Sequence, residues 1–311
     1  MNILTISGGG IRGIIACRLL LEIERISNVP MSKLFNFMSG TSVGTILISG
    51  MLMSDDGVNP KLTMEELYQK FLVKIPEAFS WTYKSYIYSV FGLYGPKYTN
   101  DGLKNIINDV CGDKQLKHLL CDICYPAYDK LTSKAYYFDN KKDAELCVQD
   151  VILACTAAPT YFPSIPMTIN NKQYDMIDGG IVVNNTAELA LLHATKDMKV
   201  IDKSTILEVC IGTGRFDYGN FKEGLIPIAS VIVDLIMKGG SENELYELSL
   251  SLPAENYIVM DLDLDPRYDY MDNTDSKIIQ YYIDETEKWI EVNRDRLKEF
   301  CAKLKTNRKL D

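Results

Sequence analysis

Short uninterrupted apolar runs alternate with longer segments of 3.6-residue apolar period along most of this chain, the pattern of strands buried on both faces between covering helices. Asn2 to Ile6 (NILTI) reads as such a strand, SGGGIRG as a glycine turn, and IIACRLLLEIERI as a helix packed on a sheet. A second unit follows, with LFNFM as strand, GTSVG as a tight turn and the strongly apolar TILISGMLM as a helix opening at Val43 or Gly44. Two strand-turn-helix units in succession predict a parallel sheet covered by helices.

Between Asn59 and Gly112 the pattern turns helical. TMEELYQKFL carries a Thr63/Glu66 capping box, and an aromatic-rich segment follows it, so this stretch reads as an insertion or cap over the sheet. Beyond it LLCDICYPAY and KAYYFD are strand candidates, VQDVILACTA is a helix ending at Pro159, and QYDMID is a strand running into Gly179-Gly180. Helix ELALLHAT, strand STILEVCIGTG, a helix near IPIASVIVDLIMK and strand NYIVMDLDL complete the sheet, and IIQYYIDETEKWIEVNRDRLKEF is a long closing helix. With no linker, low-complexity tract or repeat, one domain with an embedded cap is the economical reading.

Composition narrows the partners more than the fold. Apolar residues at 47% and charged residues at 24% of 311 fit an ordinary globular protein. The net charge of −9 and pI near 4.9 disfavour nucleic acid, whose phosphates require a basic footprint, and an anionic membrane would repel most of this surface. The eight cysteines are scattered through apolar stretches, and Met1 leads directly into polar Asn2 and a strand-like run; reduced, buried thiols in a cytoplasmic protein are expected. Cys121 and Cys124 have CxxC spacing without a second CxxC or a histidine pair, so no metal is expected, and no cofactor is implied. No apolar run reaches the roughly 18 residues of a membrane span, so any membrane contact is expected to be peripheral.

Chemistry concentrates at three glycine-rich turns. Gly40-Thr41-Ser42-Val43-Gly44 is GxSxG between a predicted strand and a predicted helix, where a strained turn would present the Ser42 hydroxyl as a nucleophile at a helix N-terminus. Ser7 to Gly13 (SGGGIRG) admits two readings. Gly8, Gly10 and Gly13 fit the GxGxxG of dinucleotide sites, but residues 29 to 39 lack the acidic residue that reading requires. The alternative is an oxyanion site, with the backbone N–H groups of Gly8, Gly9 and Gly10 aimed at developing negative charge and Arg12 adding a fixed charge. Asp178 ends a strand and precedes Gly179 and Gly180; it is either a base at the carboxyl edge of the sheet or a turn-forming Asp-Gly.

A serine needs a base, and the sequence offers only His118 and His193 besides such carboxylates. His193 lies at helical spacing from Leu189, as a packed helix residue would, yet Ser42, Asp178 and His193 follow the chain order of an α/β-hydrolase triad. A free carboxylate is a poor base for an alcohol, so a Ser42–Asp178 dyad requires the pair to be desolvated.

Taken together, SGGGIRG, GTSVG and the Asp178-Gly179-Gly180 motif resemble the patatin-like phospholipase family, with supporting matches at Thr156 to Pro163, Asn184-Asn185 and Ile211 to Gly214. The resemblance covers about residue 2 to at least 265; Thr186 departs from it, standing where a proline commonly follows the asparagine pair. It implies an α/β three-layer sandwich with a mainly parallel central sheet and an embedded helical, aromatic cap. The catalytic domain would span 2–285, with a cap insertion at about 59–112, and residues 286–311 would form a C-terminal helix and basic tail. It further implies a catalytic Ser42, a dyad partner Asp178, an oxyanion hole from Gly8, Gly9 and Gly10 with Arg12 nearby, and motif glycines Gly13, Gly40, Gly44, Gly179 and Gly180. The expected activity is metal-free hydrolysis of fatty acyl esters in phospholipids or other acyl lipids.

Two further features bear on substrate. Residues 79 to 98 gather Phe79, Trp81, Tyr83, Tyr86, Tyr88, Phe91, Tyr94 and Tyr98, which suit either a lipid–water interface or the core of the cap itself. Asp261, Asp263 and Asp265 resemble a calcium loop, but Pro266 stands where that loop needs glycine, and a solvated strand end is the simpler reading. A histidine-assisted esterase using His193 and a non-catalytic lipid-binding protein are the alternatives to the dyad hydrolase.

Overall fold

The computed structural model describes residues 1–80, 95–197, 202–216 and 225–310. In chain order its elements are β1 (Asn2–Ile6), α1 (Gly13–Ser27), α2 (Met31–Leu34), β2 (Phe37–Gly40), α3 (Val43–Leu52), α4 (Met64–Ala78), α5 (Asp101–Cys111), β3 (Asp122–Asp129), β4 (Lys134–Asp139), α6 (Val148–Thr156), β5 (Ile165–Ile169), β6 (Lys172–Asp178), α7 (Ala187–Asp197), β7 (Leu207–Ile211), β8 (Arg215–Phe216), α8 (Leu225–Ser251), β9 (Tyr257–Met260), β10 (Asp263–Leu264) and α9 (Ser276–Arg308).

The unbroken apolar runs become the middle of the sheet, as burial on both faces requires. β3, β2, β1, β7 and β9 run parallel, while β4 and β6 pair antiparallel with β3, and β5 with β6. Alternation within β1 divides the core: Ile3 joins Phe37, Cys124 and Cys210 under α7 and α8, whereas Leu4 and Ile6 join Met38, Val209 and Ile211 under α1, α3, α6 and α9. The result is the expected three-layer α/β arrangement around a mainly parallel sheet.

One topological feature decides where the site forms. β4 pairs with β3 from Cys124 to Asp129, so β2, at Asp122 to Cys124, and β6, at Ala127 to Asp129, must share the other edge of β3. β2 runs with β3 and β6 runs against it. Their carboxyl ends therefore point at each other across Tyr125 and Pro126, bringing the turn after Gly40 to the turn after Asp178.

Residues 54 to 118 leave and return at one point, where Met53 and Leu119 form an antiparallel bridge. Within this excursion the Thr63/Glu66 capping box is formed: Glu66 N–H donates to Thr63 Oγ1 at 3.2 Å and Thr63 N–H to Glu66 Oε2 at 2.9 Å. Of the aromatic stretch, Trp81, Tyr83, Tyr86, Tyr88, Phe91 and Tyr94 lie outside the described residues. Its two ends, Phe79 and Tyr98, meet edge-on at 5.6 Å and both pack on Phe162.

Besides the short α2 and β8, two elements differ from the sequence expectation. β5 has no predicted counterpart; it folds back on β6 through Asn170-Asn171, both at positive φ, a two-residue hairpin that the Pro166-containing run IPMTI disguises. The closing helix runs unbroken from Ser276 to Arg308, through the boundary expected at residue 285, because it packs along α1 and returns to β1. Arg18 of α1 grips Glu287 through Nε at 2.6 Å and Nη2 at 3.0 Å, and Asn2 Nδ2 donates to Leu304 O at 2.8 Å. Among the described residues, no helix is long and apolar enough to cross a membrane.

Glu208 stands out inside this core. It is fully buried in β7, its Oε2 has no hydrogen-bond partner, and burial pushes its carboxyl well above the usual carboxylate range. A raised carboxylate pKa means that the native state holds a proton which the unfolded chain releases from about pH 4.5 upward, so stability falls as pH climbs from there toward the native value. Glu208→Gln should match the wild type in urea unfolding at pH 4. It should be the more stable protein at pH 8, having lost a slope of up to about 1.4 kcal/mol per pH unit; equal pH slopes would sink this account.

Candidate active site

Ile6 of β1 lies opposite Gly40 of β2, so the loops leaving both strands are neighbours. Ser7 N–H donates to Ile211 O at 2.9 Å and Thr41 N–H to Ile6 O at 3.1 Å, carrying the ladder one residue beyond each strand. The chain then breaks direction at Ser42, whose φ of 53° and ψ of −122° lie in a region that side chains rarely occupy. α3 begins at the next residue, which sets the Ser42 hydroxyl at the positive end of a fully buried helix. The flanking glycines are steric necessities: a Cβ on Gly44 would stand 2.4 Å from Ile6 O, and one on Gly40 would stand 2.8 Å from Ile48 Cδ1.

Asp178 arrives from the opposite direction at the end of β6. Its N–H donates to Ala157 O at 3.0 Å, and Thr41 Oγ1 donates to Val183 O at 2.8 Å, tying the turn after Asp178 to the serine turn. Gly179 allows that approach, since a Cβ there would lie 2.3 Å from Pro126 O. Asp178 Oδ1 accepts Gly180 N–H at 2.8 Å, while Oδ2 is buried without a well-formed hydrogen bond. Burial pushes the carboxyl up to about 6, against opposing pulls from the Ser42 hydroxyl and then Gly180 N–H. The hydroxyl therefore lies within electrostatic reach of the carboxylate, although no hydrogen bond of regular geometry joins them.

The Ser7 to Gly13 loop closes the third side. Gly8 faces the serine, a Cβ there standing 3.1 Å from Ser42 Cβ, and Gly13 abuts Val43 at the start of α3. The loop amides are not equivalent. Gly8 N–H is engaged by Asn184 O at 3.3 Å, whereas Gly9 and Gly10 N–H have no acceptor among the described residues. Arg12 is buried and turned away from solvent: Nη1 pairs with Asp269 Oδ1 at 2.5 Å, and its guanidinium lies 5.0 Å over the Phe216 ring. Lys238 Nζ approaches Asp269 Oδ2 at 3.1 Å, so one carboxylate serves both cations.

Two cavities flank this loop. A narrow apolar cleft of about 30 Å³ touches Ser42 and is walled by Ile46, Ile75, Phe79, Leu103, Phe162 and Met271. A larger cavity of about 380 Å³ opens on the Gly8 side and is polar at Arg12, Asn184, Thr213, Arg215 and Lys238. The smaller one is the more relevant to Ser42, since it is the one in contact with that side chain.

The other sequence candidates lie elsewhere. His193 stacks on Phe37 with ring centroids 6.3 Å apart and also faces Tyr137. Phe37 opens the strand that Ser42 follows, so roughly 10 Å of β2 separates the histidine's packing site from the serine turn. His118 sits on a surface turn against Gln115. Asp261 accepts Gly214 N–H at 2.8 Å and shares Arg215 with Asp263, at 3.9 Å and 3.1 Å, while Asp265 caps Arg267. Asp269 and Met271 belong to the site by contact, with no sequence signal announcing them; Thr213 sits inside Ile211 to Gly214, where the motif marks it without stating a role.

Known proteins resemble this chain in sequence. "Patatin-like protein 2" of Arabidopsis thaliana is 27% identical over 244 residues, spanning 69% of this chain and 60% of that protein. The "cGAMP-activated phospholipase" of Escherichia coli is 29% identical over 235 residues, spanning 70% of this chain and 63% of that protein. The chain thus spans under two thirds of the length of both relatives. Among solved structures, VipD from Legionella pneumophila aligns over 94% of this chain and 67% of its own, at 13% identity and a TM-score of 0.41. The patatin-like phospholipase model matches residues 4–191, well over half of the sequence, and the chain belongs to that family.

Proposed function

We propose that the protein is a lipid acyl hydrolase working through a Ser42–Asp178 dyad and an acyl-enzyme, with phospholipid or another acyl lipid as substrate. The observation that carries this reading is the strained Ser42 turn set beside a buried carboxyl whose second oxygen lacks a regular partner. In the first step the Ser42 proton passes to Asp178 Oδ2 while Oγ bonds to the ester carbonyl carbon, and Gly9 and Gly10 N–H donate to the resulting oxyanion. Collapse expels the alcohol of the lipid, which takes the proton from Asp178. Water then attacks the acyl-enzyme with Asp178 again accepting its proton, and fatty acid and free Ser42 result. The walls of the cleft against Ser42 are apolar, which favours an acyl group over a polar one at the position next to the ester carbonyl.

A carboxyl raised to about 6 is a better base than an ordinary aspartate, and it supports a dyad that needs no histidine. The distance of His193 from the serine turn speaks against the triad alternative. Peripheral membrane contact, a cytoplasmic location and a cap at about 59–112 belong to the same proposal.

Release of free fatty acid from mixed phospholipid vesicles tests it. Ser42→Ala should abolish release and Asp178→Asn should lower it by ~10²-fold to ~10⁴-fold, the usual loss on removing a general base; near-normal rates in Asp178→Asn would reopen the case for His193. Since Asp178 must be ionised to accept the proton, kcat/KM should rise through an acidic limb at about pH 6 and level off above it. A limb near pH 4 would mean that the carboxyl is solvated during turnover and that the dyad, as described, is wrong.

A further inference from the structure

The two unengaged amides of the glycine loop are presented from behind. Thr213, 5% exposed and two residues beyond the end of β7, donates its hydroxyl to Gly8 O at 2.7 Å. Because the trans peptide sets C=O and N–H on opposite sides, fixing Gly8 O toward Thr213 fixes Gly9 N–H away from it. The next peptide is held the same way: Gly9 O accepts Arg12 N–H at 3.2 Å and Arg12 Nε–H at 3.4 Å, which turns Gly10 N–H outward. Contacts on the two sides of the loop agree with this orientation. A Cβ on Gly8 would stand 2.6 Å from Asn184 Oδ1 and 3.1 Å from Ser42 Cβ, whereas one on Gly9 would stand 2.2 Å from Thr213 Oγ1.

We infer that Thr213 is a positioning residue for acyl transfer, its hydroxyl holding the Gly8–Gly9 peptide so that Gly9 N–H faces the oxyanion formed at Ser42. This inference rests on the dyad reading above. Arg12 shares the task through Gly9 O, and its charge is directed to Asp269 rather than to substrate. Thr213 touches neither substrate nor reacting atoms, so its contribution appears only as the transition state develops charge, in turnover rather than in substrate binding.

Thr213→Val keeps the shape and removes the donor, while Thr213→Ser keeps the donor and removes the methyl. With folding checked by circular dichroism and thermal melting, Thr213→Val should lose ~10-fold to ~100-fold in kcat at unchanged KM, less than the loss of a whole oxyanion donor. Labelling of Ser42 by a fluorophosphonate, whose phosphonyl oxygen occupies the same position, should slow in parallel. The acidic limb near pH 6 should not move, because Asp178 is untouched, and Thr213→Ser should recover most of the loss. Turnover in Thr213→Val within twofold of the wild type, a loss confined to KM, or a serine variant as slow as the valine variant would each overturn the role. If Thr213→Val does not fold, Thr213→Cys, similar in size and a weak donor, is read by the same criteria. Ser42-dependent turnover that ignores Thr213 removes only this inference; absence of any Ser42-dependent turnover removes the dyad reading and this one with it.

Discussion

The register of one parallel strand pair governs this molecule. With Ile6 opposite Gly40, the glycine loop and the serine turn leave the sheet side by side, and the start of α3 must then pass against the end of β1. That passage is so close that Gly44 meets the Ile6 carbonyl and Gly13 meets Val43, neither with room for a side chain. A slip by one residue would reverse which face of β1 and β2 is buried on each side and separate the two loops at the same time. Fold stability and site geometry are thus the same constraint, enforced by the apolar layers on both faces of the sheet.

Within that frame the site accepts an electrostatic cost. Asp178 is removed from water with a single regular hydrogen bond, to Gly180 N–H, and its raised pKa is the measure of that desolvation. A carboxyl solvated at the sheet edge would be more comfortable and a weaker base. The opposed approach of β2 and β6 along one edge of β3 makes the arrangement possible, because each turn shields the other from solvent. The Thr41-to-Val183 hydrogen bond joins the two turns directly.

The segment leading into α9 ties the remaining parts together. Asp269 joins Arg12 to Lys238, Met271 O accepts Ile11 N–H and its side chain lines the cleft at Ser42, and Asp272 receives both Lys97 and the Tyr98 hydroxyl. Glycine loop, α8 and residues 97–98 of the 54–118 excursion therefore converge on residues 269 to 272. Gly10, at a φ of 59°, is glycine because Met271 O would lie 2.1 Å from any Cβ placed there. In the stretch of acidic residues that resembles a calcium loop, Asp261 and Asp263 share Arg215 and Asp265 caps Arg267.

Much of this was legible in the sequence for a local reason. Strand runs, helical periods, the Thr63/Glu66 box and the glycines around Ser42 are properties of neighbouring residues, so the order of elements and the parallel centre of the sheet could be read before any coordinates, whereas a partnership of the serine turn with the aspartate turn rested on the family resemblance. The hairpin at Asn170-Asn171 escaped because a proline in the preceding run masks its strand character. Equally invisible were the separation of Gly8 from Gly9 and Gly10 and the contacts of Thr213, Asp269 and Met271. Those follow from contacts such as Thr213 to Gly8, 205 residues apart, which exist only once the sheet has brought distant strand ends to one edge. Backbone periodicity determines which elements form; which amide is left unengaged is decided by packing between them, and only the tertiary structure contains that.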